Sequence, residues 1–370
     1  MSYDKVVDSQ VLDGYFDDIA DAIRDKNYTQ NTYTPTQMPQ AIRDISGAPT
    51  IRDARYLFID NNTRLTDLAD CLIQTNYMGH MFENNQEVTD SQVANIFSNP
   101  NNRFNIDAVQ ESRTLQSMFA NTKITEFNFD WINKNNYPLR LNYMFNNCSF
   151  LNNILANNTV KIDSLEYAFQ NCSNIQNCYL NNFIISGNCN YAFNKNTVLE
   201  KVFAPYSNTS IISSTAYMFS ENNALNEFIL DNNNKCFLDQ VSNVTSTAYM
   251  FQKCEQLKSI KLDNFSLGTD ARLQYMFYAC TRLEKIDMLW DATNPAYNTQ
   301  NMFSSCNSMR DLIIRWTGGV PNLTNANSIS GLRSDCKIWV PDDLVSAYQN
   351  ASIWTSRSFY IRPLSQYVEG

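Results

Sequence analysis

The side chains in this chain that could carry chemistry are few. It has a single histidine, His80 in the phrase YMGHMFENN. A serine or cysteine hydrolase of the usual kind would have to use that imidazole as its base. His80, however, falls two residues before Phe82, in a position that other copies of the same phrase give to tyrosine. That placement predicts a structural role. Ten cysteines include no CxxC pair, and with one histidine the usual zinc spacings are missing. No metal or other cofactor is expected. The carboxylate pairs Asp17-Asp18 and Asp342-Asp343 lie beside helical patterns, where capping or solvation accounts for them. Adjacent carboxylates also cannot flank one glycosidic bond across a cleft. Gly318-Gly319 marks a turn, and no phosphate-binding glycine loop is present. Trp131, Trp290, Trp316 and Tyr297 are candidates for glycan contact by ring stacking, although core filling is the more ordinary use of each. The chain reads as a protein without catalytic activity.

Composition narrows the class further. The 370 residues are 44% hydrophobic and 13% aromatic, with only 18% charged. A sizeable folded core is therefore expected, with much of the surface polarity carried by amides. There are 50 asparagines against 9 glycines and 10 prolines. Asparagine tolerates left-handed backbone and favours turns, so it can punctuate short elements where glycine is scarce. A net charge of −9 with scattered Lys and Arg argues against nucleic-acid binding, which needs a basic stripe. The opening MSYDKVVDSQ lacks a signal-peptide pattern, and no apolar run is long enough to insert in a membrane. A soluble chain made in a cytoplasm is the expectation.

The elements that position these residues repeat. Aligned on one phenylalanine, the phrase Tyr-Met-Phe recurs at Phe119, Phe145, Phe169, Phe193, Phe219, Phe251, Phe277 and Phe303, mostly 24 to 26 residues apart. Three residues after it stands a cysteine slot, filled by Cys148, Cys172, Cys254, Cys280 and Cys306 and replaced by Asn196 and Asn222 in two copies. Cysteine in a repeated slot reads as a small buried hydrophobe, so these thiols are expected to be reduced. Leu141, Phe145 and Cys148 follow the i, i+4, i+7 spacing of a helical face. Leu257, Ile260 and Leu262 then read L-x-x-I-x-L, with the last two alternating as in a strand. The fold class predicted is an α/β solenoid, each coil a short helix plus a short parallel strand, with the strands stacked in one right-handed ladder through Ile154, Val202, Phe228, Ile260 and Ile286. Met81-Phe82 looks like a degenerate copy, and DNNNKCFLDQ, inside a 32-residue step, like an inserted loop.

The wording AYMFQKCEQLKSIKLDNF resembles the BspA-like class of leucine-rich repeats, found in bacterial surface antigens and in many phage proteins. The resemblance covers about 114–314. The closing KIWVPDDLVSAYQNASIWTSRSFYIRPLSQY resembles the cap that ends such arrays, with Asp342 or Asp343 at the start of a helix and Ile361-Arg362-Pro363-Leu364 along the last coil. The N-terminal stretch IADAIRDK, a Thr/Pro turn, then QMPQAIRDI resembles a module near the ends of phage tail and baseplate proteins.

Three parts are expected: a two-helix anchoring or capping module over 1–46, the solenoid over 50–335, irregular to 113, and the cap over 336–370. The module's apolar stripes comprise Ile19 and Ile23 on one helix and Met38, Ile42 and Ile45 on the other. What the resemblance implies is a structural component of a phage virion, in several copies. It would be held to other virion proteins by those helices, with a solenoid that is a spacer or meets host surface polysaccharide or protein. The alternative is a bacterial surface adhesin of the same repeat class, and a glycan-degrading tail enzyme stands third.

Overall fold

A computed structural model of the 370-residue chain describes residues 50–61, 72–75, 77–104, 114–132, 137–207, 211–231, 235–262, 264–290 and 298–369. The anchoring residues Ile19, Ile23, Met38, Ile42 and Ile45, and Tyr297, lie outside them.

The phenylalanine column is the axis of the fold. Phe119 through Phe303 are all buried, each ring lying parallel to the next at 5.3–5.8 Å between centroids. The column also runs further back than the repeat alignment. Phe82 stacks on Phe119, and Phe58 stacks on Phe82, each pair at 5.1 Å. The first rung is thus Tyr56-Leu57-Phe58, a copy of Tyr-Met-Phe placed 24 residues before Phe82. A buried phenylalanine contributes roughly 1.5–3 kcal/mol by leaving water, and each aromatic pair about 0.5–1.5 kcal/mol more.

The helix expected in each coil is absent from the described repeats. The phrase instead forms a turn with left-handed backbone two residues before and two residues after the phenylalanine. In one coil these are Tyr143 (φ 57°) and Asn147 (φ 59°), and all ten coils show the pair. Left-handed residues at those two points are incompatible with a continuous helix. The same i, i+4, i+7 apolar spacing is met because the turn carries every other amide to the neighbouring coil. Tyr143, Phe145 and Asn147 donate their N–H groups to the carbonyls of Glu166, Ala168 and Gln170 at 2.8–2.9 Å, while Met144 and Cys148 bond back three residues within the turn.

Two sets of parallel strands flank this turn. The set after it contains Ile154, Val202, Phe228, Ile260 and Ile286, as expected, but not as one hydrogen-bonded sheet. It is divided into a pair (Glu126–Asn128 with Asn153–Leu155), a triplet (Asn177–Tyr179, Lys201–Phe203, Glu227–Phe228) and a five-stranded run from Ser259–Leu262 to Ile361–Pro363. The second break falls at the insertion. That insertion is also more than a loop: the turn Phe237–Gln240 returns to the core with Phe237, Leu238 and Gln240 buried, and Gln240 Nε2 donates to the Ile185 carbonyl at 2.9 Å.

The second set precedes the turn and was not anticipated. Leu139–Arg140, Val160–Ser164, Phe183–Asn188 and Ile212–Ser214 form one parallel sheet, and Val244–Ser246 pairs with Leu267–Arg272. The alternation of Val160 with Ile162, and of Phe183 with Ile185, both buried pairs, is its signal in the sequence.

At the C-terminal end, Lys337–Val340 and Ile361–Pro363 extend the five-stranded run, with Ile361 opposite Ile338 and Pro363 opposite Val340. Pro363 brings no N–H to that edge, which discourages further pairing. Asp342 and Asp343 open a 3-10 turn that runs directly into the helix Val345–Asn350, as expected, but the Asp342 carboxylate does not cap it and accepts instead from Ser365 N at 2.9 Å and from the Ser365 hydroxyl. The bonds from Ser365 hold its pKa below the ordinary carboxylate value.

Candidate binding surface

The left-handed backbone at the tyrosine slot turns that side chain outward while the Met and Phe that follow it point inward. Tyr143, Tyr167, Tyr191, Tyr217, Tyr249 and Tyr275 therefore form a continuous surface row. Consecutive rings are 4.5–4.8 Å apart and within 8° of parallel. A bulky residue in this conformation costs roughly 1–2 kcal/mol. Stacking of about 0.5–1.5 kcal/mol per pair, with the inter-coil backbone bonds, offsets it. Each ring face inside the row is covered by the next ring, so the row offers solvent its ring edges and hydroxyls. Partial burial, then the neighbouring Glu166 or phenols, raises the pKa values of Tyr143, Tyr167, Tyr191, Tyr217 and Tyr249 above the ordinary phenol value. These hydroxyls are hydrogen-bond donors at neutral pH.

Two amide rows run beside it. One residue past each phenylalanine, Asn146 Nδ2 donates to Gln170 Oε1 at 2.9 Å and Gln170 Nε2 to Asn194 Oδ1 at 2.8 Å. Two residues past it, Asn171 donates to Asn147, Asn147 to Asn121 and Asn121 to Asn84, at 2.6–2.9 Å. Those four asparagines also occupy left-handed backbone, one use of the chain's asparagine excess. The amides are fixed by one another, which leaves a pre-ordered polar strip alongside the tyrosines.

The slot is filled differently at both ends. Ser117 and Asn301 occupy it in two coils, and Tyr56 and His80 in the first two. His80 stacks on Tyr56 at 4.8 Å, and its Nδ1 lies 2.7 Å from Glu83 Oε2. The imidazole is one ring of a separate two-ring stack, divided from the tyrosine row by Ser117. Among the described residues, no group of three His, Cys, Asp or Glu side chains is placed to hold a metal ion, and no helix is long and apolar enough to cross a membrane.

The described tryptophans that were candidates for glycan contact all pack against the core. Trp290 is buried, with Phe303 and Trp354 edge-on against it, so it meets no outside ligand. Trp131 packs on the core and stacks against Phe97, and Trp316 also packs on the core with Gly318 pressed on its indole. These positions lie at coil junctions, where a large ring closes the gap between strands.

The cysteine slot is interior. Cys148, Cys172, Cys254, Cys280 and Cys306 are buried free thiols, and each donates to the carbonyl of the phenylalanine one coil earlier at 2.9–3.2 Å. Burial raises their pKa values, to about 11 for Cys148 and about 12 for Cys306. We expect native protein at pH 8 to leave these five unmodified by iodoacetamide until denaturant is added, because the thiolate is the reactive species. Alkylation of Cys254 in folded protein, or a Cys254–Cys280 bridge in unreduced protein, would contradict this.

Stacked coils with parallel strands and one shared core define a repeat solenoid. Two family models match: "BspA type Leucine rich repeat region (6 copies)" over 116–240, and "Mycoplasma protein of unknown function, DUF285" over 187–316. The first match, over about a third of the chain, makes those coils similar to BspA-type leucine-rich repeats. No curated protein matches the chain. Among solved structures, the crystal structure of a TLR13–ssRNA13 complex matches at 15% identity, covering 78% of this chain and 55% of that one, with a TM-score of 0.19. The chain thus spans about half the length of that receptor chain, and so low a score says nothing about function.

Proposed function

We propose that the protein is a non-catalytic, adhesin-like recognition protein whose tyrosine row and flanking amides bind an extended surface glycan. The observation that carries this reading is the row itself, six parallel rings with a hydroxyl on each, flanked in its first coils by fixed amides. Its spacing of 4.5–4.8 Å is close to the length one pyranose ring adds to an extended glycan, so each coil meets one sugar. Rings that already cover one another's faces bind by edge and hydroxyl, which suits a polymer lying along the row. The BspA-like repeats support a surface adhesin over a virion protein. The virion reading uses the same surface and places an anchor at 1–46; it is supported by the sequence resemblance of that segment alone.

The double variant Tyr191→Asn/Tyr217→Asn tests the row. Asparagine suits the left-handed backbone there, and Asn301 fills the same slot naturally. Binding of the full chain to immobilised mucin and to purified bacterial wall polysaccharide is the readout. We expect at least one of these to bind, and the variant to lose affinity by about tenfold or more with an unchanged circular dichroism spectrum. Equal binding by variant and parent would overturn the role of the row.

A further inference from the structure

Beside the aromatic row, over the second coil, the surface opens into a cavity of about 420 Å³, enough for one or two sugar rings. Its floor is Gly79, the residue before His80. The neighbouring coils carry Arg55 and Gln116 in that same position, so the missing side chain makes the hole. The backbone does not demand this glycine. Its φ is outside the left-handed region, and a Cβ there would approach nothing closer than 3.6 Å. The walls are Tyr56, Tyr77 and the His80 ring.

The charge of the lining runs against the rest of the chain. In a protein of net charge −9, the described residues that line the cavity include Arg55 and Arg140 and no carboxylate. Each arginine also pairs with a carboxylate that is not part of the lining. Asp53 holds Arg55 through bonds of 2.5–3.1 Å, and the Arg55 guanidinium lies 4.8 Å over the Tyr77 ring. Against the upward push of burial, the bonds from Arg55 keep Asp53 below the ordinary carboxylate range. Arg140 Nε lies 3.4 Å from Asp163. Guanidiniums fixed beforehand lose little freedom on binding a carboxylate.

We propose that this cavity is a subsite for a carboxylated sugar, a uronic or sialic type of ring. Its carboxylate pairs with Arg55 and Arg140, and its apolar face lies against Tyr56 and Tyr77. The proposal rests on the glycan-binding reading above and names the kind of unit that the first coils select.

Leucine at position 79 would fill the cavity without touching the fold beneath it. The test is calorimetric titration of the full chain with an oligogalacturonate hexamer and with its fully methyl-esterified form, for the parent, Gly79→Leu and Arg140→Gln. We expect the free acid to bind and the ester to bind about tenfold more weakly, the loss of one charge-assisted hydrogen bond. Both variants should lose about tenfold for the acid, with unchanged urea midpoints. Equal binding of acid and ester overturns the charge assignment, and parent-like binding by Gly79→Leu overturns the cavity. If the parent binds neither hexamer yet still binds mucin or wall polysaccharide through the tyrosine row, the subsite fails and the adhesin reading stands.

Discussion

Raising the pH from 8 to 10 is expected to unfold the solenoid cooperatively, with thiolate absorbance appearing only as helical and strand ellipticity is lost. Nine described cysteines are buried free thiols. Burial raises those of Cys178, Cys189, Cys236, Cys306 and Cys336 from an ordinary value near 9 to about 12, that of Cys148 to about 11, and those of Cys172, Cys254 and Cys280 well above the ordinary value. The unfolded chain ionises first. Above about pH 9 it therefore holds fewer protons than the fold, and stability is lost as pH rises towards the folded values. At pH 10 each thiol withdraws on the order of 1 kcal/mol. Nine together withdraw on the order of 10 kcal/mol, comparable with the whole stability of a typical domain. Replacing Cys254 and Cys280 with alanine should move the alkaline midpoint upward. Thiolate absorbance growing on a protein whose circular dichroism has not changed would sink the idea.

How much of this was legible in the sequence depends on what each residue type reports. The phenylalanine and cysteine columns were readable because a buried slot admits few side chains, and the same few recur. The turn was misread as a helix because apolar spacing records which side chains face inward and is silent about where the amides go. Tyrosine at left-handed φ gives no warning either; only Asn121, Asn147 and Asn171 hinted at it. Tyr56-Leu57-Phe58 was missed because leucine stands where the other copies have methionine or alanine. The cavity over Gly79 could not be read at all. It comes from an absent side chain between two present ones, and that juxtaposition exists only once coils are stacked.

The two columns of the repeated phrase should respond to mutation in opposite ways. The tyrosine row is half-buried, and its loss of stacking is partly returned when asparagine relaxes the left-handed backbone, so Tyr191→Asn should leave stability nearly unchanged. Phe193, two residues on, has no such relief. It is fully buried between Phe169 at 5.3 Å and Phe219 at 5.4 Å, both rings nearly parallel to it. Phe193→Ala removes both stacks and leaves a void that the coils above and below cannot close, because backbone bonds fix their separation. For Phe→Ala in a core the cost is about 3–5 kcal/mol. Phe58→Ala should cost less, since among the described residues the terminal ring has one stacking partner in the column. Urea unfolding of the three variants would decide, read as a change of midpoint at constant slope. In a solenoid each coil leans only on its neighbours, so a central rung that cost no more than the terminal one would mean that the phenylalanine column is not what joins coil to coil.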